Sequence, residues 1–192
     1  MIELKALLGI LAVLIALIGY FPYFRDIFLG KTKPHSFSWL IWAVLQGIAF
    51  FGQVSDQAGA GAWVTGIMGI VCFSVFVIAL RKGETEITLL DKVSLCGAGI
   101  ALLLWFFTGN PLLSIILVTL IDTFGFFSTY RKSYHTPREE TLMMYFLCGT
   151  SWVISLLALE NYSLVTLLYP AAGVFNNFLF VTMVMIRRKQ LP

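Results

Sequence analysis

Asp122 is the one acid of this 192-residue chain that lies within an apolar run away from its ends, in Ile121-Asp122-Thr123-Phe124-Gly125. A charged carboxylate at lipid depth costs about 2.5–3.5 kcal/mol on insertion scales, so it must be paired, wetted or protonated. Three roles fit: proton coupling, contact with a ligand, or a structural pair with Arg25 or Arg131. A second group of chemistry-bearing residues recurs at helical spacing, namely Trp39, Trp42, Gln46, Phe50 and Gln53. At 100° per residue they occupy an arc of roughly 80°, a single stripe. An aromatic wall with amide handles suits a polar ligand that has an apolar or ring face. The plainer reading makes Trp39 and Gln53 ordinary interfacial anchors. Tyr145, Cys148, Gly149 and Trp152 form a similar face later in the chain, and Gly173 with Asn176 and Asn177 forms a third. Gln46, Phe50, Trp152, Asn176 and Asn177 are the candidate binding residues, with helix packing as the alternative. Adjacent positions on a helix point about 100° apart, so one of the two asparagines faces a ligand and the other glues helices.

Other chemistries lack their residues. A retinal Schiff base needs a lysine in the last apolar run, and residues 162–186 contain none. No Cys/His group has metal-ligand spacing, and neither a phosphate-cradling glycine loop nor a Ser-His-Asp set can be assembled on one membrane side. An enzyme is not expected, nor a metal or cofactor. Cys72, Cys96 and Cys148 all fall inside apolar runs and read as small buried packing residues. His35 and His135 read as solvated loop residues.

The elements that must position these side chains are membrane spans. Apolar residues make up 59% of the chain and charged residues 12%, against usual shares of about 45–50% and about 25%. Seven apolar stretches, at roughly 5–28, 36–54, 60–80, 91–108, 111–131, 138–159 and 162–186, are each near the about 20 residues a helix needs to cross a bilayer. Helix is the expected form, since a span must satisfy its own backbone and the runs lack the two-residue alternation of a barrel. Four groups of cations, Arg25/Lys31/Lys33, Arg81/Lys82/Lys92, Arg131/Lys132/Arg138 and Arg187/Arg188/Lys189, fall in alternate gaps and at the C-terminus. The positive-inside bias then puts the N-terminus outside and the C-terminus in the cytoplasm. A multi-pass protein of the cell (inner) membrane is expected, its first run retained rather than cleaved. The basic charge sets topology, so no nucleic-acid partner is implied.

The runs repeat. Pro34 matches Pro137, Gly47 matches Gly149, Gly69 matches Gly173, and Arg81-Lys82 matches Arg187-Arg188. Two copies of a three-helix unit, residues 1–82 and 110–192, are expected, joined by a linker helix in 83–109. A three-helix unit ends on the side opposite its start, so one extra crossing restores the orientation of the second copy. The expectation is an all-α membrane protein of seven transmembrane helices, arranged 3+1+3 as parallel repeats.

At this point the chain resembles the SWEET and PQ-loop superfamily. Gly19-Tyr20-Phe21-Pro22-Tyr23, then Arg25, Lys31-Thr32-Lys33 and Ser36-Phe37-Ser38-Trp39, resembles the family's proline-glutamine turn, basic loop and Ser-led second helix. Gly149-Thr150-Ser151-Trp152 resembles its Gly-x-x-x-Trp stretch, one residue shorter. Tyr23 stands where the family has glutamine, and Gly125 where the second repeat has proline. Nicotinamide riboside permeases, cystinosin-like carriers and KDEL receptors resemble the same architecture. The resemblance implies a facilitator or secondary carrier of a small polar solute, with a sugar among the candidates, working by alternating access. Pro22 and Gly125, at equivalent points of the two units, would permit the bending that gates need, with Asp122 a gating or coupling residue. The competing class is a non-transporting receptor or scaffold of the same fold. The expected partners are a small-molecule solute and the lipid bilayer, and self-association into a homo-oligomer is left open.

Overall fold

A computed structural model describes residues 2–30, 34–83, 89–135, 137 and 142–190. Among them the chain is all-helical: α1 (Ile2–Phe28), α2 (Ser36–Ser55), a 3-10 turn (Gly59–Ala62), α3 (Trp63–Lys82), α4 (Leu89–Thr108), α5 (Pro111–His135), α6 (Leu142–Ala158) and α7 (Leu164–Gln190). Four segments are long and apolar enough to cross a membrane: Glu3–Phe28, Ser36–Ser55, Gly59–Lys82 and Leu164–Gln190. The other three apolar stretches, Lys92–Thr108, Pro111–Phe126 and Leu142–Ala158, are shorter.

Local chemistry sets the boundaries. Gly30, at φ 70°, takes the left-handed position that ends α1, and Gly109, at φ 63°, does the same after α4. Asn110 caps α5 by accepting from the Leu112 amide at 2.9 Å, with Pro111 in the first helical position, where a missing N–H costs nothing. Ser163 caps α7 through the amides of Val165 and Thr166. His35, expected as a solvated loop residue, instead caps α2 by accepting from the Ser38 amide at 3.3 Å. His135, also expected in a loop, is the last residue of α5, which runs past the expected end at 131. Lys31, Lys33, Thr136 and Arg138, read as parts of the basic loops, lie outside the described residues.

Within the first half, α3 packs against both α1 and α2; within the second, α7 packs against both α5 and α6. Between the halves α1 lies on α6 and α2 on α5, so each half presents its first helix to the second helix of the other. α4 packs on α5 and α2. The core runs through both halves, from Ala12, Ala16, Leu45, Ala49, Val64 and Met68 to Ile115, Val118, Trp152 and Tyr169. Large apolar side chains line the outside as well: Leu7, Ile18 and Phe21 on α1, and Phe106 (82% exposed) and Phe107 (78%) on α4. A water-facing protein would leave such a belt only at an interface; lipid removes the penalty.

The two ends differ in charge. At one, Lys82 lies over the Phe28 ring, Arg187 over the Tyr134 ring at 4.0 Å, and Arg188 donates to the Pro137 carbonyl. The other end holds Lys5, Asp56 and Glu160, together with the 3-10 turn.

Candidate functional site

The polar residues of the middle turns come from both halves. Gln46 on α2 is 8% exposed and its Nε2 donates to the Cys72 sulfur on α3 at 3.3 Å. Its Oε1 is buried with no hydrogen-bond partner among the described residues, and Thr65 Oγ1 and Gln53 Oε1 are in the same condition. A buried amide oxygen left open costs about 1–3 kcal/mol, so such a group marks either strain or a site for something that accepts or donates there. Gln53 does use its Nε2, which donates to the Thr166 carbonyl of α7 at 3.1 Å and ties the halves together.

Asp122 sits in the middle turns of α5, where its carboxylate faces the Tyr169 hydroxyl of α7. Of the cations anticipated as its mate, Arg25 is bound to Asp26 at 2.9 Å on the exposed basic end. Tyr169 in turn makes an edge contact with Trp152, ring centroids 5.9 Å apart. Aspartate, phenol and indole therefore form one chain across α5, α7 and α6. Tyr20 of α1 lies within electrostatic reach of Cys72, Cys148 and Tyr145, and Cys72 within reach of Asp122. Protein surrounds Tyr20 and Asp122, yet both keep partial accessible surface.

The rings of Trp152 and Phe50, both candidate binding residues, each pack into a glycine gap. A Cβ on Gly173 would lie 2.8 Å from the Trp152 ring, so this indole fills the gap the glycine leaves on α7. A Cβ on Gly66 would likewise lie 2.8 Å from the Phe50 ring, so Phe50 fills a glycine gap on α3. Phe50 also joins Ala58, Ala62 and Leu159 under the loops of the acidic end. Trp39 is the centre of another cluster, with Tyr20, Tyr23 and Trp42 around it at 6.2, 5.2 and 5.1 Å.

Both asparagines are buried and both are engaged. Asn176 Nδ2 donates to Thr123 Oγ1 at 3.2 Å, and its carbonyl accepts from Tyr130, which fastens α7 to α5. Asn177 Nδ2 donates to the Gly173 carbonyl one turn back at 2.8 Å. Pro22 lies inside α1, which continues through it. A Cβ on Gly125 would meet no atom within 4 Å. Of the three thiols, Cys72 is buried and Cys148 half-buried, but Cys96 is exposed on α4, where a buried packing role had been expected.

At the acidic end the loops of the two halves interlock. Asp56 accepts from Asn161 Nδ2 and from the Ser163 hydroxyl, the Glu160 amide donates to the Ala58 carbonyl at 3.0 Å, and Ser155 donates to the Gly61 carbonyl at 2.7 Å. Lys5 donates to the Leu159 carbonyl and lies over the Tyr162 ring. Asp56 is held there by Gln57, whose φ of 57° is the left-handed turn position usually given to glycine. Set beside known proteins, the chain matches no family model, no curated protein and no solved structure.

Proposed function

We propose that this chain is a seven-span membrane carrier of a small polar solute, with the N-terminus outside and the basic end in the cytoplasm. Its two three-helix units, as the reading has it, bind the solute between them near mid-membrane. The observation that carries this is the Gln46 amide oxygen, buried without a hydrogen-bond partner among the described residues in helices whose core is otherwise apolar. Polar side chains at that depth are costly to insert and tend to mark a path or a ligand site. Support for the repeat comes from the helix pairing, α1 on α6 and α2 on α5, which is what a two-fold axis along the membrane normal would produce. The interlocked acidic-end loops describe a state closed on the outside.

Uptake by the purified protein in proteoliposomes, over a panel of small sugars, amino acids and nucleosides, tests the reading. Gln46→Ala should weaken apparent affinity by about 2- to 13-fold, the value of one hydrogen bond of about 0.5–1.5 kcal/mol. Ser94→Ala on α4 should transport normally. Saturable binding without uptake of any member of the panel would favour a non-transporting receptor instead.

A further inference from the structure

A crevice of about 350 Å³ opens between α5 and α7, lined by Leu112, Ile116, Thr119, Leu120, Leu164 and Leu168. Thr119 spends its hydroxyl on the Ile115 carbonyl at 2.6 Å, so every surface offered to an occupant is apolar. The crevice lies at the acidic end, in the first turns of α5 and α7, and so within one leaflet if the chain spans a bilayer. Leu112, Ile116 and Leu120 are four residues apart, one above another along the helix. The groove therefore runs along the helix axis for about 12 Å, at 1.5 Å per residue.

The other half of the molecule says what fills such a seam. Setting Pro22 on Gly125 places Gly9, Val13, Ala16 and Leu17 of α1 on Leu112, Ile116, Thr119 and Leu120. Setting α3 on α7 so that the buried Met68, Cys72, Val75 and Ala79 meet the buried Gly173, Asn177, Phe180 and Val184 places Trp63 on Leu168. In the first half this seam is closed: a Cβ on Gly9 would lie 2.8 Å from the Ala60 carbonyl and 3.0 Å from the Trp63 ring. In the second half Leu112 replaces the glycine that permits the approach, and Leu168 replaces the indole. What the chain itself supplies at one seam it omits at the other.

We infer that the α5–α7 crevice is a binding site for one acyl chain of an outer-leaflet phospholipid. The occupant is elongated, apolar and parallel to the helices, and the mouth opens among Leu120 and Leu164, which are exposed on the lipid-facing surface. At about 350 Å³ the space is at the small end of ordinary ligand pockets, enough for part of a chain and too narrow for a packed helix. The inference rests on the membrane reading above, though not on transport.

The test reconstitutes the full chain in nanodiscs of phosphatidylcholine doped with a phospholipid carrying a photoreactive diazirine near the middle of one acyl chain, and maps the labelled peptides. Label should concentrate on 112–120 and 164–168 above the level on the exposed α4 face at Phe106-Phe107. Leu168→Trp, which copies Trp63, should reduce it to the level of the α1–α3 seam, and Ile116→Phe should do the same from the α5 side. Trp63→Leu should create new labelling on α1. Label spread evenly over all apolar faces, or unchanged by both filling variants, would overturn the site while leaving the membrane reading intact. A change of oligomeric state in Leu168→Trp with no change in label would assign the crevice to a second copy of the chain, and so also overturn it. No labelling anywhere would sink the membrane reading itself.

Discussion

Tyr169 on α7 sets its ring edge against Trp152 on α6, centroids 5.9 Å apart, and its hydroxyl toward the carboxylate of Asp122 on α5, so that Tyr169 and Asp122 are a facing polar pair in the second half. Neither partner is needed for a helix, and each would be costly alone among apolar neighbours. Facing one another, each gives the other a polar neighbour.

A double-mutant cycle follows from the pair. Tyr169→Phe and Asp122→Asn should each lower uptake affinity, and the double variant should cost less than the sum. A coupling energy of about 0.5–3 kcal/mol is expected for side chains that act on one another directly. Additive effects in uptake and in thermal stability alike would show that the two act separately.

The glycine gaps make an opposite-sign pair. Gly173→Ala should destabilise by about 1–3 kcal/mol, because the new methyl meets the rigid Trp152 ring rather than a flexible chain end. Gly47→Ala, with no atom within 4 Å of the added carbon, should be neutral or stabilise by up to about 1 kcal/mol. Melting temperatures of the purified variants in one detergent decide it.

Opening of the acidic end should be sensitive to Asp56. Asp56→Ala removes the carboxylate that accepts from Ser163, a bond of about 0.5–1.5 kcal/mol, while Asn161 keeps its bond to the residue 56 main-chain carbonyl. In a Cys96→Ser background, membrane-impermeant maleimide added outside should then label Cys72 or Cys148 faster by at least about 2-fold. Equal rates in the two proteins would mean these loops are not the outer barrier.

Relieving the backbone at Gln57 should stabilise the same end. A non-glycine residue in the left-handed region costs about 1–2 kcal/mol, while glycine loses about 0.5–1 kcal/mol more entropy on folding. Gln57→Gly should therefore raise stability by up to about 1 kcal/mol, read as a higher melting temperature.

The helices were legible in the sequence because apolar length and punctuation agree: Gly30, Gly109 and Asn110-Pro111 each end or start an element where expected. Element ends were less so. α5 continues to His135, since Lys132 is a good helix former that a span defined by apolarity excludes. In the site, Gln46 and Asp122 declared themselves by being polar in apolar runs. Tyr169 did not, because a tyrosine in such a run reads as packing until the rotation of α7 against α5 is known. The ring positions were hidden for the same reason, since whether Phe50 turns toward a ligand or into the gap at Gly66 depends on how closely α3 approaches α2. Aligning buried faces also moved the match of α3 on α7 by one residue, Met68 rather than Gly69 falling on Gly173. Such a slip turns a helix by about 100° and cannot be seen from two glycines alone.

α4 bears on how the halves can move. It is strapped to α5 by the Ser114 hydroxyl on the Ala101 carbonyl at 2.6 Å and by the close approach of Gly97 to Ile121, and it also lies along α2. It thus covers the α2–α5 seam, while among the described residues the matching α1–α6 seam is crossed by the short 3-10 turn at the acidic end rather than by a full helix. If the halves rock, the strapped edge acts as the spine of a book and the α1–α6 edge as the side that fans open. A molecule with a two-fold plan would then have a one-sided doorway, and crosslinks between α4 and α2 would be tolerated where crosslinks between α1 and α6 arrest the cycle.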